Sequence, residues 1–180
     1  MEPERVHRFY QEMGGELFSN LKLIVILREP VSRELSLYNH KKREFLQTHE
    51  ENSWFSDVAA NGTLLSFDQF AVNVLQDRIA SSWRMIGKYV DYLRRWVSLF
   101  NRKQLLVLSY DELQDDPDRA QWRIRQFLGR DFPGELPRLN TKGKAKETNS
   151  PRLANQVLEP IFDVKNQELY QFLEVYPGPW

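Results

Sequence analysis

The sequence predicts one α/β domain, residues 1–180, with a parallel sheet between two helical layers. Residues 22–27 and 104–110 are short runs of branched apolar residues bounded by polar ones, which is typical of strands buried on both faces of a parallel sheet. Segments with helical periodicity separate and follow these runs. A length of 180 residues with 41% hydrophobic and 28% charged residues suits one globular domain.

The first half of the chain is expected to begin with an amphipathic helix at 5–18, closed near the glycines at 14–15. The strand at 22–27 follows. Pro30 suits the first turn of the next helix, 31–46, because its missing N–H costs nothing there. The segment 49–62 is predicted to be a loop with a short helical piece.

Further along the chain, Ser66 and Gln69 have the spacing of a capping box and predict that a helix begins there. A further helix is expected at 87–100, with its aromatic residues, Tyr89 among them, packed in the core. After the second strand, the predicted elements are a helix at 118–128 that begins after Asp116-Pro117 and ends at Gly129, a loop at 131–151, and two helices at 152–163 and 167–173.

The composition excludes several classes of protein. Acidic and basic residues number 25 each, which argues against a general nucleic-acid binder. The absence of cysteine excludes disulfides, thiolate zinc sites and a cysteine nucleophile. The three histidines lack metal-ligand spacing, so no metal site is predicted. No apolar run approaches the roughly 20 residues of a membrane span, and neither the compartment nor the oligomeric state is set by the sequence.

Arg28 is the first candidate site residue, because it follows a strand at the end where parallel sheets bind ligands. If the helical register is extended backwards, Arg28 and Ser36 fall on one stripe, with Ser32 and His40. A guanidinium and a hydroxyl placed together can bind one phosphate. On spacing alone, however, a solvated strand terminator and an ordinary surface serine explain the pattern at least as well.

A second candidate is the lysine-rich segment "NTKGKAKE", residues 140–147. Glycine lets backbone N–H groups approach an anion, and the lysines supply positive charge. The alternative is a mobile basic loop without a ligand. The chain contains no G-x-x-x-x-G-K-[ST], so a complete nucleotide-hydrolysing P-loop is not predicted.

Four segments, in this order, resemble the sulfotransferases that use 3′-phosphoadenylyl sulfate, especially the heparan-sulfate and carbohydrate branch. They are "LKLIVILREPVSRELSLYNH", "GKYVDYLRRW", "QLLVLSYDELQDDPDRAQWRIRQFLG" and "KGKAK" with the C-terminal helices. The likeness covers residues 21–180. It implies the P-loop NTPase-like sulfotransferase fold, a three-layer α/β/α arrangement.

The resemblance also implies roles for particular residues. Arg28 and Ser36 would bind the 3′-phosphate of the nucleotide, and Trp83 stands near a position that touches the acceptor. The loop that closes over the nucleotide would be formed by Lys142, Gly143, Lys144, Ala145 and Lys146. Where the family has K-G-R-x-H, Lys144 replaces the arginine and Lys146 the histidine. A lysine lacks the two-pronged N–H geometry of arginine, which predicts weaker binding of the phosphate.

The implied reaction is transfer of a sulfuryl group to a hydroxyl or amine of a carbohydrate or small alcohol, without a metal. No catalytic base can be named from the sequence. Nothing in residues 1–20 resembles the family's lysine-bearing 5′-phosphosulfate loop. We therefore expect an N-terminally truncated fold with little or no transfer activity of its own. Two alternatives stay open, a non-catalytic sulfotransferase-like nucleotide-binding protein and another P-loop-class α/β enzyme.

Overall fold

The computed structural model describes residues 2–48, 54–78, 89–131 and 152–175. In chain order the elements are α1 (Pro3–Glu12), α2 (Gly15–Asn20), β1 (Leu23–Leu27), α3 (Pro30–Thr48), β2 (Ala59–Ala60), β3 (Thr63–Leu64), α4 (Phe67–Arg78), α5 (Tyr89–Leu99), β4 (Leu105–Ser109), α6 (Tyr110–Asp115), α7 (Pro117–Leu128) and α8 (Arg152–Val175). The described residues form two compact units. The first unit comprises 2–28, 89–131 and 167–175, and the second comprises 29–48, 54–78 and 152–166.

The first unit is built on a parallel pair of strands. β1 pairs with β4 in a register that runs from Leu23 opposite Leu105 to Leu27 opposite Ser109. On one face of this pair, Leu105 and Val107 pack against α5 and the end of α8. On the other face, Leu106 and Leu108 pack against α7. Helices therefore lie on both faces of β4, and the predicted α/β fold with a parallel sheet is confirmed.

The prediction that the first strand is buried on both faces is wrong. Along β1 the side chains alternate, and Ile24 and Ile26 are 40% and 53% exposed. In register they stand beside Leu106 and Leu108, which are fully buried. The cluster beneath α7 contains these two β4 leucines and neither isoleucine. On this face of the sheet, α7 therefore covers β4 and leaves β1 exposed.

The N-terminal segment forms two helices where the sequence predicts one. α1 ends at Glu12, and α2 begins at Gly15. Gly14, between them, has φ +122°, a conformation that residues with a Cβ rarely adopt. The glycine pair therefore interrupts the helix rather than closing it.

α7 begins and ends as predicted. The Asp116 side chain accepts a hydrogen bond from the Arg119 amide at 3.1 Å, and Pro117 occupies the first turn. Gly129 ends the helix in the left-handed conformation, φ +63°. The short helix α6, which follows β4 directly, is not predicted by the sequence.

In the second unit, α3 and α4 pack through aromatic side chains, with Tyr38 between Phe67 and Phe70. The predicted capping box at the start of α4 is confirmed. The Gln69 amide donates to the Ser66 hydroxyl at 3.2 Å, and the Ser66 amide donates to the Gln69 side chain at 2.9 Å.

Two details of the second unit differ from the sequence prediction. Residues 59–62, expected in the loop at 49–62, belong with residues 63–64 to the hairpin β2–β3, whose turn residues Asn61 and Gly62 have φ +50° and +71°. Positive φ at both turn positions matches the right-handed twist of the flanking strands. The helices predicted at 152–163 and 167–173 are one helix, α8, which continues past Pro160.

Candidate functional site

The carboxyl ends of β1 and β4 lie side by side in the first unit. Their last paired residues are Leu27 and Ser109, so the next residues in the chain, Arg28 and Tyr110, leave the sheet together. The guanidinium carbon of Arg28 lies 4.6 Å from the centre of the Tyr110 ring. This is cation–π geometry, and it places a fixed positive charge at the sheet edge where parallel folds bind ligands.

Tyr89 holds the backbone of Arg28. Its phenol O–H donates to the Arg28 carbonyl at 2.8 Å, while its ring packs against the buried side chains between α5 and the sheet. The sequence predicts only core packing for Tyr89, and that prediction misses the polar half of its role. Arg28 is thus held at its carbonyl by Tyr89 and at its guanidinium by Tyr110.

The guanidinium of Arg28 is free of carboxylates within the part of the chain that the structure describes. None of the ion pairs formed there includes it. The five N–H donors of arginine point outward in the plane of the group, and the cation–π contact uses its face. The edge of Arg28 can therefore donate to an anion, and a phosphate or sulfate oxygen pair is the geometry that such a fork fits.

A buried ion pair fixes the end of β4. Arg123 of α7, almost fully buried, donates to the Val107 carbonyl at 3.0 Å and pairs with Glu112 of α6. The Ser109 hydroxyl accepts from the Asp111 amide at 3.1 Å and caps α6. These contacts tie the first turn of α6 to the strand, so the position of Tyr110 is set by the sheet.

Ser36 lies on α3 and is exposed. The expectation that Arg28 shares its helical register is wrong, because α3 begins at Pro30 and Arg28 precedes it. The first turn of α3 is capped by Glu29, whose carboxylate accepts from the amides of Val31 at 2.8 Å and Ser32 at 2.6 Å. Arg28 and Ser36 belong to different units, and their joint binding of one phosphate stays a prediction.

The other predicted site residues, Trp83 and Lys142 to Lys146, lie outside the described residues. Over the ranges that the structure does describe, no cluster of three or more histidine and carboxylate side chains has metal-binding geometry. Across the same ranges, no helix combines the length and the apolar composition needed to cross a membrane.

Tyr110 is the site residue that the sequence prediction misses. The available signal is that Arg28 directly follows the first predicted strand and Tyr110 is the last residue of the second. Parallel pairing in equal register brings those two residues together, but the register is known only from the structure.

A parallel sheet flanked by helices, with a cation held at its carboxyl edge, defines an α/β protein suited to binding an anionic ligand. The chain belongs to the sulfotransferase family, since the model of the sulfotransferase domain matches residues 5–171.

Individual relatives agree with this assignment. The chain is 27% identical over 116 residues to the human bifunctional heparan sulfate N-deacetylase/N-sulfotransferase 2, a match that covers 64% of this chain and 12% of that protein. It is 30% identical over 112 residues to human heparan sulfate glucosamine 3-O-sulfotransferase 3B1, covering 60% of this chain and 24% of that protein. The chain therefore spans less than a quarter of the length of these relatives.

A solved structure shares the fold. The sulfotransferase from Alicyclobacillus acidocaldarius superposes with a TM-score of 0.60 at 19% sequence identity, over 96% of this chain and 59% of that one. The predicted P-loop NTPase-like sulfotransferase fold is confirmed by this match.

Proposed function

We propose that this chain binds 3′-phosphoadenylyl sulfate and serves the transfer of its sulfuryl group to a hydroxyl or amine of a carbohydrate. The observation that carries the proposal is the guanidinium of Arg28, which is held at the carboxyl edge of the sheet without a carboxylate partner among the described residues. Membership in the sulfotransferase family supports the transferase class.

For the donor, Arg28 supplies two parallel N–H bonds to the 3′-phosphate, and Ser36 adds a hydroxyl donor. Hydrogen bonds between a guanidinium and a phosphate are charge-assisted and are about twice as strong as neutral ones. Lys142 to Lys146 are proposed to close over the nucleotide, with positive charge and a glycine that permits close backbone approach.

A carbohydrate is the proposed acceptor because the names of both human relatives specify heparan sulfate, in one case N-sulfation and in the other 3-O-sulfation. Sugars of that type offer both hydroxyl and amine nucleophiles. Trp83 is the proposed acceptor contact, since an aromatic face packs well against a sugar ring.

In the proposed reaction, the acceptor oxygen or nitrogen forms a bond to sulfur while the bond from sulfur to the bridging phosphate oxygen breaks. The acceptor proton passes to a base, and adenosine 3′,5′-bisphosphate leaves. As in phosphoryl transfer, the protein's main task is to position the reactants and neutralise spreading negative charge. Arg28 and Ser36 contribute binding energy at the far end of the donor, away from the transferred group.

Calorimetry with two nucleotides tests the class of ligand. We expect the chain to bind adenosine 3′,5′-bisphosphate and to prefer it to ATP, because the proposed site recognises a 3′-phosphate that ATP lacks. Tighter binding of ATP would contradict the proposal and favour a P-loop-class enzyme of another kind.

Turnover tests whether these 180 residues are sufficient for catalysis. With a glucosamine-containing oligosaccharide and labelled 3′-phosphoadenylyl sulfate, we expect little or no transfer by the 180-residue chain, since residues 1–20 carry no recognisable 5′-phosphosulfate loop. Rapid transfer would show that this N-terminal segment has been misread, and it would exclude a purely nucleotide-binding role.

A further inference from the structure

We propose that the outward face of α1 is a docking surface for a second copy of this chain, with the two α1 helices antiparallel. This α1 surface consists of the apolar side chains of Phe9 and Met13 and of the charged side chains beside them, Arg5, Arg8 and Glu12. It lies within the first unit, and it does not depend on the function proposed above.

The inward face of α1 is packed against the rest of the first unit. The His7 ring meets the rings of Phe18 and Phe100 edge-on, at centroid distances of 4.9 and 5.5 Å. Glu4 forms an ion pair with Arg95 of α5 at 2.9 Å. These contacts fix the rotation of α1 about its own axis, so they also determine which side chains point outward.

The outward face of α1 exposes two large apolar side chains. Phe9 and Met13 are four residues apart and lie on the same side of the helix, since the Met13 amide still donates to the Phe9 carbonyl, at 3.2 Å. They are 56% and 54% exposed, and neither belongs to an apolar cluster of the described residues. On the next helix, Leu17 is 52% exposed. Apolar side chains that are exposed together mark an interaction surface, whereas scattered ones do not.

The charges on this part of the chain indicate that the partner is a second copy. Basic Arg5 and Arg8 come first along the sequence, and acidic Glu12 and Glu16 follow. All four side chains are exposed, and none of the ion pairs among the described residues includes them. An antiparallel copy brings its acidic end beside the basic end of the first. The segment is therefore complementary to itself, as a two-fold interface requires.

Helix geometry gives the register of this pairing. If Phe9 of one copy stands beside Met13 of the other, Arg8 and Glu12 of the second copy are about 3 Å apart along the helix axis, from a rise of about 1.5 Å per residue. Arg8 and Glu12 lie on the same side of the apolar pair, because they are four residues apart. A two-fold axis perpendicular to both helices places these like sides face to face, so each dimer contains the contact between Arg8 and Glu12 twice.

The first test measures association. Every variant carries Ile26→Lys, so that the exposed strand β1 does not contribute. In sedimentation velocity from micromolar to millimolar concentration, we expect this background chain to form a dimer that high salt weakens. Phe9→Ala should weaken the dimer by at least about fivefold, the effect of a side chain that matters to an interface. Leu46→Ala, at an exposed leucine of α3, is the control and should not. A background chain that stays monomeric throughout would overturn the proposal.

A lipid surface is the competing occupant of an amphipathic helix. The same background chain is therefore sedimented with vesicles of phosphatidylserine and phosphatidylcholine. We expect no binding that depends on Phe9. A monomeric chain that sediments with the vesicles, and no longer does so after Phe9→Ala, would contradict the proposal and assign the α1 surface to lipid.

Charge reversal tests the antiparallel pairing. Arg8→Glu and Glu12→Arg should each weaken the dimer by about 3- to 30-fold, because each places like charges together at both symmetric contacts. Arg43→Glu, the same change at an exposed arginine of α3, is the control and should have no effect. When the Arg8→Glu and Glu12→Arg chains are mixed, we expect a heterodimer tighter than either homodimer, since both contacts then join opposite charges. No gain on mixing would rule out this pairing, and charges within one helix cannot produce such a gain.

A single introduced thiol reports the geometry directly, because the chain has no cysteine of its own. In the dimer, the two Met13 positions are about 6 Å apart along the axis, on helices about 8–10 Å apart. A short bismaleimide should therefore link Met13→Cys chains into covalent dimers. Leu46→Cys, the matched control on α3, should give few linked dimers. Equal linking of the two variants would be the result that refutes docking through α1.

Discussion

The buried ion pair on α3, the helix that carries Ser36, gives the sharpest stability prediction. The Lys41 side chain is 4% exposed, and its ammonium donates to both carboxylate oxygens of Asp57 at 2.8 Å and to the Trp54 carbonyl at 2.7 Å. It also lies 4.3 Å from the centre of the Trp54 ring. Asp57→Ala removes the only negative charge among these contacts and leaves the ammonium buried.

The expected cost follows from that geometry. Removing one partner of a buried ion pair typically costs about 3–5 kcal/mol, because the remaining charge stays desolvated without compensation. The Trp54 carbonyl and ring retain part of the stabilisation of Lys41, so we expect about 3 kcal/mol, the lower end of this range. This is a large part of the roughly 5–15 kcal/mol that stabilises a typical domain.

The assay is urea denaturation followed by far-UV circular dichroism. Asp163→Ala, at an exposed aspartate in the same unit, serves as the control and should change the free energy of unfolding by less than about 0.5 kcal/mol. The double variant Lys41→Met/Asp57→Ala should recover most of the loss, since neither charge of this buried pair remains. A loss below about 1 kcal/mol for Asp57→Ala, or a double variant no more stable than the single one, would refute the reasoning.

Three further predictions concern the first unit. Gly129→Ala should cost about 1 kcal/mol in urea denaturation, because the residue is left-handed while an added Cβ meets no atom within 4 Å; no loss would contradict a backbone origin. The pKa of Glu4 is lowered by its own backbone amide and by Arg95, so its contribution to stability is present at neutral pH and disappears as acid protonates the carboxylate. Glu4→Gln should therefore lower Tm at neutral pH and not in acid. Exposed Ile26 predicts concentration-dependent self-association, which light scattering should show to be weaker in Ile26→Lys.

Local signals were sufficient for several elements. The Ser66–Gln69 capping box, the Asp116-Pro117 start of α7 and the Gly129 stop act through hydrogen bonds and backbone conformation within a few residues. Such features depend little on the rest of the chain, so the sequence alone predicts them.

Features that depend on distant neighbours were predicted less well. An apolar run such as β1 does not reveal whether both of its faces are covered. The cluster beneath α7 contains neither Ile24 nor Ile26, and both side chains are exposed. The sequence prediction also divides α8 into two helices, at 152–163 and 167–173. Instead, Phe162 packs in the core of the second unit and Leu169 in that of the first, so one helix serves two clusters.

In the candidate site, too, the residue with a local signal was predicted and the residue placed by distant neighbours was not. Arg28 was predicted because the end of a strand and a following proline are local signals. Tyr110 was missed because its place beside Arg28 depends on the register between two strands about 80 residues apart in the sequence. The hairpin at 59–64 was missed although its signal, Asn61-Gly62, is local.

The most direct test of the central claim is the affinity of the Arg28→Ala variant for adenosine 3′,5′-bisphosphate, measured by calorimetry beside the wild type. If Arg28 donates charge-assisted bonds to the 3′-phosphate, the change should weaken binding by about 1.5–3 kcal/mol, while adenosine 5′-phosphate, which lacks that group, should bind both proteins alike. Equal affinity of the two proteins for the bisphosphate would contradict the account.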